Sequence, residues 1–434
     1  MSIGELKIGS TRSVCPVCLK TIDADKVLGA DKYIYMKKTC PEHGRFSSLI
    51  WEGDLKSYLL WNTVSDVVEP PIEAKEAEKG CPNDCGLCSD HLRKGCCMLL
   101  ELTNRCNLRC PVCFASAGRD EDRDLTLEEI EKQYDYLMAH GGPFNIQLSG
   151  GEPTVRDDLP EIIRLGKEKG FTFFQLNTNG LRLAEDSAYA VQLKEAGLTT
   201  VFLQFDGLTD DVYEKLRGRP LLAEKCSAIE NAAAAGLGVV LVPVIAPGIN
   251  DAQVGDIIRF ALERQPGVRG VHFQPISYFG RCAENRPSNP ITIPRMLRLI
   301  EEQTGGEMKT EDFGSGGAEN PYCSFHAAYR NGRALPKKSG SCCCCSTTSD
   351  DSRSNVAEQW SGAKTEAEDP FDEFINEVHN SKFEVSGMLF QDAYNFDLER
   401  IKRCYICEMD SHFGMVPFCA YNLTNVQGEY LYRR

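Results

Sequence analysis

Three cysteines within eight residues constrain this chain more than any other feature. Cys106-x3-Cys110-x2-Cys113 directly follows the apolar run at 98–102. Three thiolates at this spacing can cap three corners of a cubane iron–sulfur cluster. The fourth iron then has no protein ligand nearby. An open iron can bind a molecule that arrives from solution.

The residues around this loop repeat a strand–helix unit. Apolar runs at 98–102, 144–148, 172–176, 200–204, 239–244 and 270–274 read as strands. Amphipathic segments separate them, at 126–138, 157–169, 186–196, 221–235, 251–264 and 294–303. The first opens on a capping box from Thr126 to Glu129 and shows an apolar face of Leu127, Ile130, Tyr134, Leu137 and Met138. Six parallel strands with their crossovers predict an α/β fold, an open partial (β/α)6 barrel. In such barrels chemistry gathers at the C-terminal strand ends, which is where the triplet falls.

More cysteines flank the barrel. The chain has 434 residues and 21 cysteines, in short clusters unlike a disulfide framework. Near the start, Cys15-x2-Cys18 and Cys40-x2-His43 bracket a short hairpin, a pattern that makes a tetrahedral site for zinc or a rubredoxin-like iron. Cys81-x3-Cys85-x2-Cys88 repeats the spacing of the central triplet, and Cys96 or Cys97 completes four thiolates. That set reads as an auxiliary cluster, with a second zinc site as the alternative. A third cluster is expected from Cys323, one of Cys342 to Cys345, Cys404 and Cys419, with Cys407 as a competitor. The division that follows is a metal module at 1–70, an auxiliary cluster segment at 71–97, the barrel at 98–303, and a cysteine-rich domain at 304–434. Within the last, the polar stretch at 346–369 is expected to be an exposed loop or local disorder.

Charge and hydropathy exclude other classes. A formal net charge of −15 argues against nucleic acid and against docking on anionic membranes. No run of eighteen apolar residues exists, and the first residues lack the apolar stretch of a secretory signal. The expected setting is a reducing cytoplasm, at the membrane periphery for a lipid substrate. Single residues take plainer readings. Cys226 and Cys282 are expected to be structural, and His272 a core or pocket residue. Tyr278 and Arg281 stand where they can meet a substrate. The acidic run Asp120 to Asp122 reads as solvated loop.

Four segments together resemble the radical S-adenosylmethionine (SAM) enzymes. They are the triplet, Ser149-Gly-Gly-Glu-Pro153 after the second strand, Leu176-Asn-Thr-Asn-Gly180 after the third, and Gln204-Phe-Asp-Gly207 after the fourth. The resemblance implies a [4Fe–4S] cluster on Cys106, Cys110 and Cys113, with SAM on its open iron. It implies that Gly150, Gly151, Glu152 and Pro153 bind the SAM amino group. Asn177, Asn179, Gln204 and Asp206 would line the SAM pocket, with Val244 and Ile245 packed on adenine. Reduction by a donor such as ferredoxin or flavodoxin would split SAM and give a 5′-deoxyadenosyl radical that attacks an unactivated carbon.

The flanking cysteines, with 390–400, Arg403, Cys404 and 416–422, resemble one branch of that family. It holds the archaeal tetraether lipid synthase and proteins described as dihydropterin C-methyltransferases. The resemblance implies carbon–carbon coupling of lipid chains first and C-methylation next. A peptide maturase is a further rival, although its usual Cys-x2-Cys-x5-Cys-x3-Cys pattern is absent. A non-catalytic iron–sulfur electron-transfer protein is the reading from another class; a SAM pocket beside the triplet speaks against it.

Overall fold

Alternation of buried and exposed residues builds the first module. In the computed structural model, which describes residues 5–62, 67–118, 124–282, 289–315, 319–336 and 348–433, four antiparallel strands form a ribbon. They are β1 (Leu6–Val14), β2 (Thr21–Leu28), β3 (Ile34–Cys40) and β4 (Gly44–Trp51). Along β3, Ile34, Met36, Lys38 and Cys40 turn inward, the period of two that a half-buried strand shows. The turns after β1 and β3 lie at the same end of the ribbon, so antiparallel pairing alone brings the two metal-binding knuckles together. The ribbon is docked on the C-terminal part of the chain. Thr11 Oγ1 donates to Asp397 Oδ1 at 2.6 Å, and buried Lys38 donates to the Ala393 carbonyl at 2.6 Å.

The expected strand–helix repeat is present. Parallel strands β5 (Cys97–Thr103), β6 (Asn145–Gly150), β7 (Phe174–Thr178), β8 (Thr200–Gln204) and β9 (Gly238–Val242) lie side by side in that order. A short β10 (Val244–Ile245) pairs with β11 (Val268–Pro275), which extends the sheet beyond β9. The helix Leu127–Ala139 carries the capping box of Thr126 and Glu129 and buries Ile130, Tyr134 and Leu137. Leu127, expected on that apolar face, is exposed instead.

The barrel is wider than six strands. After β12 (Ser324–Arg330) and β13 (Arg333–Ala334), strand β14 (Lys382–Met388) pairs in parallel with β11. Beyond it, β15 (Ile406–Asp410) pairs in parallel with β5, and β16 (Gly414–Pro417) runs antiparallel to β15. The parallel part therefore has eight strands, in the order β15-β5-β6-β7-β8-β9-β11-β14. The two added strands carry buried acids, Glu384 and Glu408, where an apolar alternation would have marked them.

The expected loop at 346–369 is a correction. A helix, Ser349–Trp360, occupies much of it, with a capping box between Thr348 and Asp351. Its composition is polar because it is held by hydrogen bonds more than by an apolar stripe. Buried Arg353 donates to the carbonyls of Gly95 at 2.8 Å, Gly141 at 3.0 Å and Pro143 at 2.9 Å. Asn145 Nδ2 donates to the Arg353 carbonyl at 3.0 Å, and Thr200 Oγ1 to the Trp360 carbonyl at 2.8 Å. All of these partners stand at or before the first residues of β5, β6 and β8. The helix thus lies across the N-terminal ends of these strands. The run Cys342 to Cys345 and the acidic run Asp120 to Asp122 lie outside the described residues.

Arg353→Ala would leave three carbonyls, that of buried Gly95 among them, without their donor. It is expected to lower stability by about 3 kcal/mol, measured by denaturant titration. A loss within about 0.5 kcal/mol, the range of an ordinary surface change, would show that the helix is not anchored through this side chain.

Candidate active site and metal centres

One cavity of about 1550 Å³ runs through the barrel. At one end its wall is Cys106, Cys110 and Cys113; at the other it is Ser352, Val356 and Trp360. It passes Cys97, the first residue of β5, and reaches Cys106 beyond the last. At a strand rise near 3.3 Å per residue, that is a shaft about 20 Å deep.

The triplet loop is held from three sides. Backbone N–H and C=O of Arg281 pair with those of Cys113, at 3.4 and 3.1 Å. The Arg281 guanidinium donates to the carbonyls of Cys110 at 2.8 Å and Ala117 at 3.0 Å. Tyr430 OH lies 2.6 Å from the Phe114 carbonyl. Arg281, expected to meet substrate, lines the cavity while clamping this loop. Tyr278 is buried and does not line it.

The two glycines form the third support. Gly150 has φ of +123°, and a Cβ there would lie 2.3 Å from the Thr103 carbonyl. A Cβ on Gly151 would lie 2.2 Å from the Arg105 carbonyl. Their missing side chains let β6 press backbone to backbone on the start of the triplet loop. Gly151 N donates to Thr103 O at 2.7 Å and Glu152 N to Arg105 O at 2.9 Å.

Six of the expected pocket residues, Gly150, Gly151, Glu152, Asn177, Asn179 and Gln204, line the cavity with the triplet. Glu152 is saturated by the protein. Its carboxylate accepts from Thr178 Oγ1 at 2.6 Å, Thr154 Oγ1 at 2.7 Å and Asn179 N at 2.7 Å, tying the ends of β6 and β7 together. Pro153 and Asp206 are the exceptions, since neither lines the cavity. Pro153 turns into the core at the start of a short 3-10 helix, Pro153–Val155. Asp206 is fully buried in a two-pronged pair with Arg217, at 2.6 and 2.7 Å. Val244 faces the cavity, whereas Ile245 is packed away from it.

Arg217 and Lys225 are buried cations near the site that no motif revealed. Arg217 lines the cavity and acts electrostatically on the Cys110 and Cys113 thiols. It sits in the last turn of a helix, Asp210–Arg217, where a basic residue is ordinary. Lys225 donates to the Asn179 carbonyl at 2.5 Å, and burial pulls its ammonium down to about 8. The donor set suits a metal cluster. Burial pushes the Cys106 thiol up to about 12, and Cys110 is raised for the same reason, with Arg217 opposing. Thiols this dry ionise readily only against a metal or a nearby cation.

The ribbon knuckles form a tighter site. Cys15, Cys18, Cys40 and His43 place their ligand atoms within 4.8 Å of one another. His43 Nδ1 is 3.7 Å from Cys15 Sγ and 3.5 Å from Cys40 Sγ. Tetrahedral zinc with its usual bond lengths separates S and N by about 3.6 Å. Among the described residues no other group of three or more such donors is this compact.

The remaining cysteines divide differently from expectation. Cys81 and Cys85 share a thiol hydrogen bond with Cys88 nearby, and Tyr432 OH accepts from Cys85 N at 3.0 Å. Cys96 does not join them. It lines the central cavity beside Cys97, with Arg353 and Glu319 as its charged neighbours. The β5 ladder, which starts at Cys97, carries it there. Cys323, Cys404 and Cys419 surround a second, small pocket together with Arg400, whose Nε donates to Cys323 Sγ at 3.3 Å. Cys407 is packed in the core. Cys226 and Cys282 are partly buried. His272 lines the cavity, its Nδ1 3.0 Å from Ser386 Oγ, and burial pulls it down to about 4. Glu384, also on the wall, is pushed up to about 7 by burial against the pull of Lys382.

Two outcomes follow. Gly150→Ala puts a Cβ against the Thr103 carbonyl and is expected to cut iron bound per reconstituted chain severalfold while the ribbon keeps its zinc; full iron loading would contradict the packing. Glu384 holds a proton in the fold between its ordinary 4.5 and about 7 that the unfolded chain has released. Stability relative to Glu384→Gln should therefore rise as pH falls from about 7 towards 4.5, and be lost as pH rises through 7. Parallel denaturation curves across that window check the sign.

Comparison with known proteins agrees with this geometry. Residues 100–261 match the radical SAM superfamily, and residues 7–52 match the HMPTM N-terminal zinc ribbon domain. The first module is thus a zinc ribbon domain by family. The chain is 35% identical over 477 residues to the 7,8-dihydro-6-hydroxymethylpterin dimethyltransferase of Methanocaldococcus jannaschii, covering 96% of this chain and 94% of that protein. It is 34% identical over 196 residues to the GTP 3',8-cyclase of Paenarthrobacter nicotinovorans, covering 44% of this chain and 54% of that one. The structure of SuiB from Streptococcus suis overlaps 48% of this chain and 47% of its own, with a TM-score of 0.41 and 16% identity. The chain belongs to the radical SAM superfamily, in the branch of the dihydropterin dimethyltransferase it matches almost end to end.

Proposed function

We propose that this radical SAM enzyme forms carbon–carbon bonds at an unactivated carbon of a long, chain-like substrate, with coupling of lipid chains as the leading case. When bound at Cys106, Cys110 and Cys113, the family's [4Fe–4S] cluster and SAM supply a 5′-deoxyadenosyl radical. The observation that carries the reading is the shape of the cavity. Its volume of about 1550 Å³ exceeds the roughly 300–1,000 Å³ of a single small-molecule site. There is room for SAM beside the triplet and for a second sizeable molecule below it. Leu99, Phe202, Val242, Phe313 and Phe325 give that lower shaft an apolar wall.

The residues around the triplet have separate tasks in this reading. Asn177, Asn179 and Gln204 offer amide groups to a polar ligand beside the thiols. Arg217, fixed by Asp206, brings positive charge to the same place. Glu152 and Arg281 hold the loops still. An external donor of the ferredoxin or flavodoxin type supplies the electron. The cysteines at 81, 85 and 88, and those at 323, 404 and 419, hold auxiliary clusters. No helix among the described residues is long and apolar enough to cross a membrane, so a lipid would be met at the membrane surface.

A second reading is C-methylation of a reduced pterin. The named activity of the Methanocaldococcus relative favours it, together with the buried polar groups Glu384 and His272 on the cavity wall. Both readings share the radical step. With anaerobically reconstituted protein, SAM and a reductant, wild type is expected to release 5′-deoxyadenosine and Cys106→Ala none; no release from an intact cluster would overturn the proposal. Lipid and pterin profiles of cells with and without the gene then separate the two substrates.

A further inference from the structure

One rung of the barrel wall is polar on three strands in a row. His272 of β11 pairs with Ser386 of β14, and Ser386 pairs on its other side with His326 of β12. All three line the cavity. His272 Nδ1 lies 3.0 Å from Ser386 Oγ, and its Nε2 has no partner among the described residues. Two residues earlier on β14, Glu384 also lines the cavity and is hydrogen-bonded to Ser386. Its neighbours in the ladder are Gly270 and Ala328, whose side chains are too short to reach the carboxyl. Space is therefore left beside a buried acid.

The groups around that acid do not balance its charge. They are Lys382 on its own strand and the imidazoles of His272 and His326 on the adjoining ones. Arg269 turns the other way, onto the carbonyls of His379 and Asn380. Burial accordingly holds the Glu384 carboxyl up at about 7. Hydrocarbon laid against this rung would strand its polar groups. A ligand with two adjacent N–H donors would instead satisfy the carboxylate through two parallel hydrogen bonds.

An aromatic surface stands beside the rung. The Phe202 ring lies 5.8 Å from the His272 ring and 4.6 Å from the Trp360 ring, and all three rings line the cavity. A flat heterocycle can lie on these rings while its edge meets the acid. Glu384 stands four residues, about 13 Å, before the C-terminal end of β14. A ligand held there by one edge turns its opposite edge up the shaft, on the side of the cysteine triplet.

We propose that Glu384, with Ser386 and His272, recognises the 2-amino-4-oxo edge of a pterin, whose adjacent N–H groups donate to the carboxylate. The inference rests on the pterin reading above and extends it to named specificity residues. The opposite edge of the ring, which carries the saturated C7 of a 7,8-dihydropterin, is then the one presented to the triplet.

The test uses the reconstituted full chain with SAM bound, at about pH 8, where Glu384 is ionised. Binding of 6-hydroxymethylpterin and of 6-hydroxymethyllumazine is followed by their fluorescence. The lumazine carries an oxo group in place of the 2-amino group, so it offers the carboxylate one donor and one acceptor. Wild type is expected to favour the pterin by on the order of tenfold. Glu384→Gln, which itself presents one acceptor and one donor, is expected to reverse that preference. A carboxyl with a merely structural role would not produce a reversal. Ala328→Leu fills the space beside the acid and is expected to weaken both ligands severalfold. An unchanged preference in Glu384→Gln, or unchanged binding in Ala328→Leu, would overturn the recognition site alone. Failure of wild type to bind the pterin, with 5′-deoxyadenosine still formed from SAM, would overturn the pterin reading and the site with it.

Discussion

Backbone packing between Gly150-Gly151 and the turn from Thr103 to Arg105 is the contact on which the site depends. It joins the end of β6 to the start of the cysteine loop with no side chain between them. Once that approach is made, Glu152 is delivered to Thr154, Thr178 and Asn179, and the third strand end is tied in. Arg281 and Tyr430 then hold the far side of the loop. The three thiols are positioned by neighbours that do no chemistry themselves. A loop built this way offers its ligands with little ordering left to do when a cluster binds.

Charge inside the barrel is arranged in pairs whose loss would be costly. Asp206 and Arg217 are both almost fully buried and meet face to face. Removing one partner of such a pair typically costs about 3–5 kcal/mol, because the other charge is stranded. A second pair, Arg433 with Glu101, lies beside buried Glu408 and ties the segment after β16 to β5. Tyr430 and Tyr432, from that same segment, reach the loops of Cys113 and Cys85 respectively. The two triplet loops therefore share one scaffold, although neither motif in the sequence refers to the other.

Legibility followed the range of the interactions. The six barrel strands are apolar at short period, and Gly150, Gly151, Cys106, Cys110 and Cys113 act through neighbours at their own strand ends. Those were readable. Strands β14 and β15 were not, because Glu384 and Glu408 interrupt the alternation that a buried strand normally shows. The helix Ser349–Trp360 reads as loop because Arg353 anchors it through carbonyls from elsewhere in the chain, and its amphipathic pattern is weak. Asp206 has the look of a ligand contact at a strand end, but Arg217 takes it up from the next helix.

The sequence by itself determined the reaction class. Thiolate spacing, a glycine pair and the knuckles at Cys15 and Cys40 are local features, and local chemistry decides which metals and cofactors such segments can hold. Tertiary structure decided how deep the site is, where it ends, and which cysteines meet. Cys96 joins the cavity because β5 carries it there, and Cys323 meets Cys404 and Cys419 only through folding. The shaft exists because eight strands enclose a volume their own side chains do not fill, and Trp360 stands in its wall because distant backbone groups bind one polar helix.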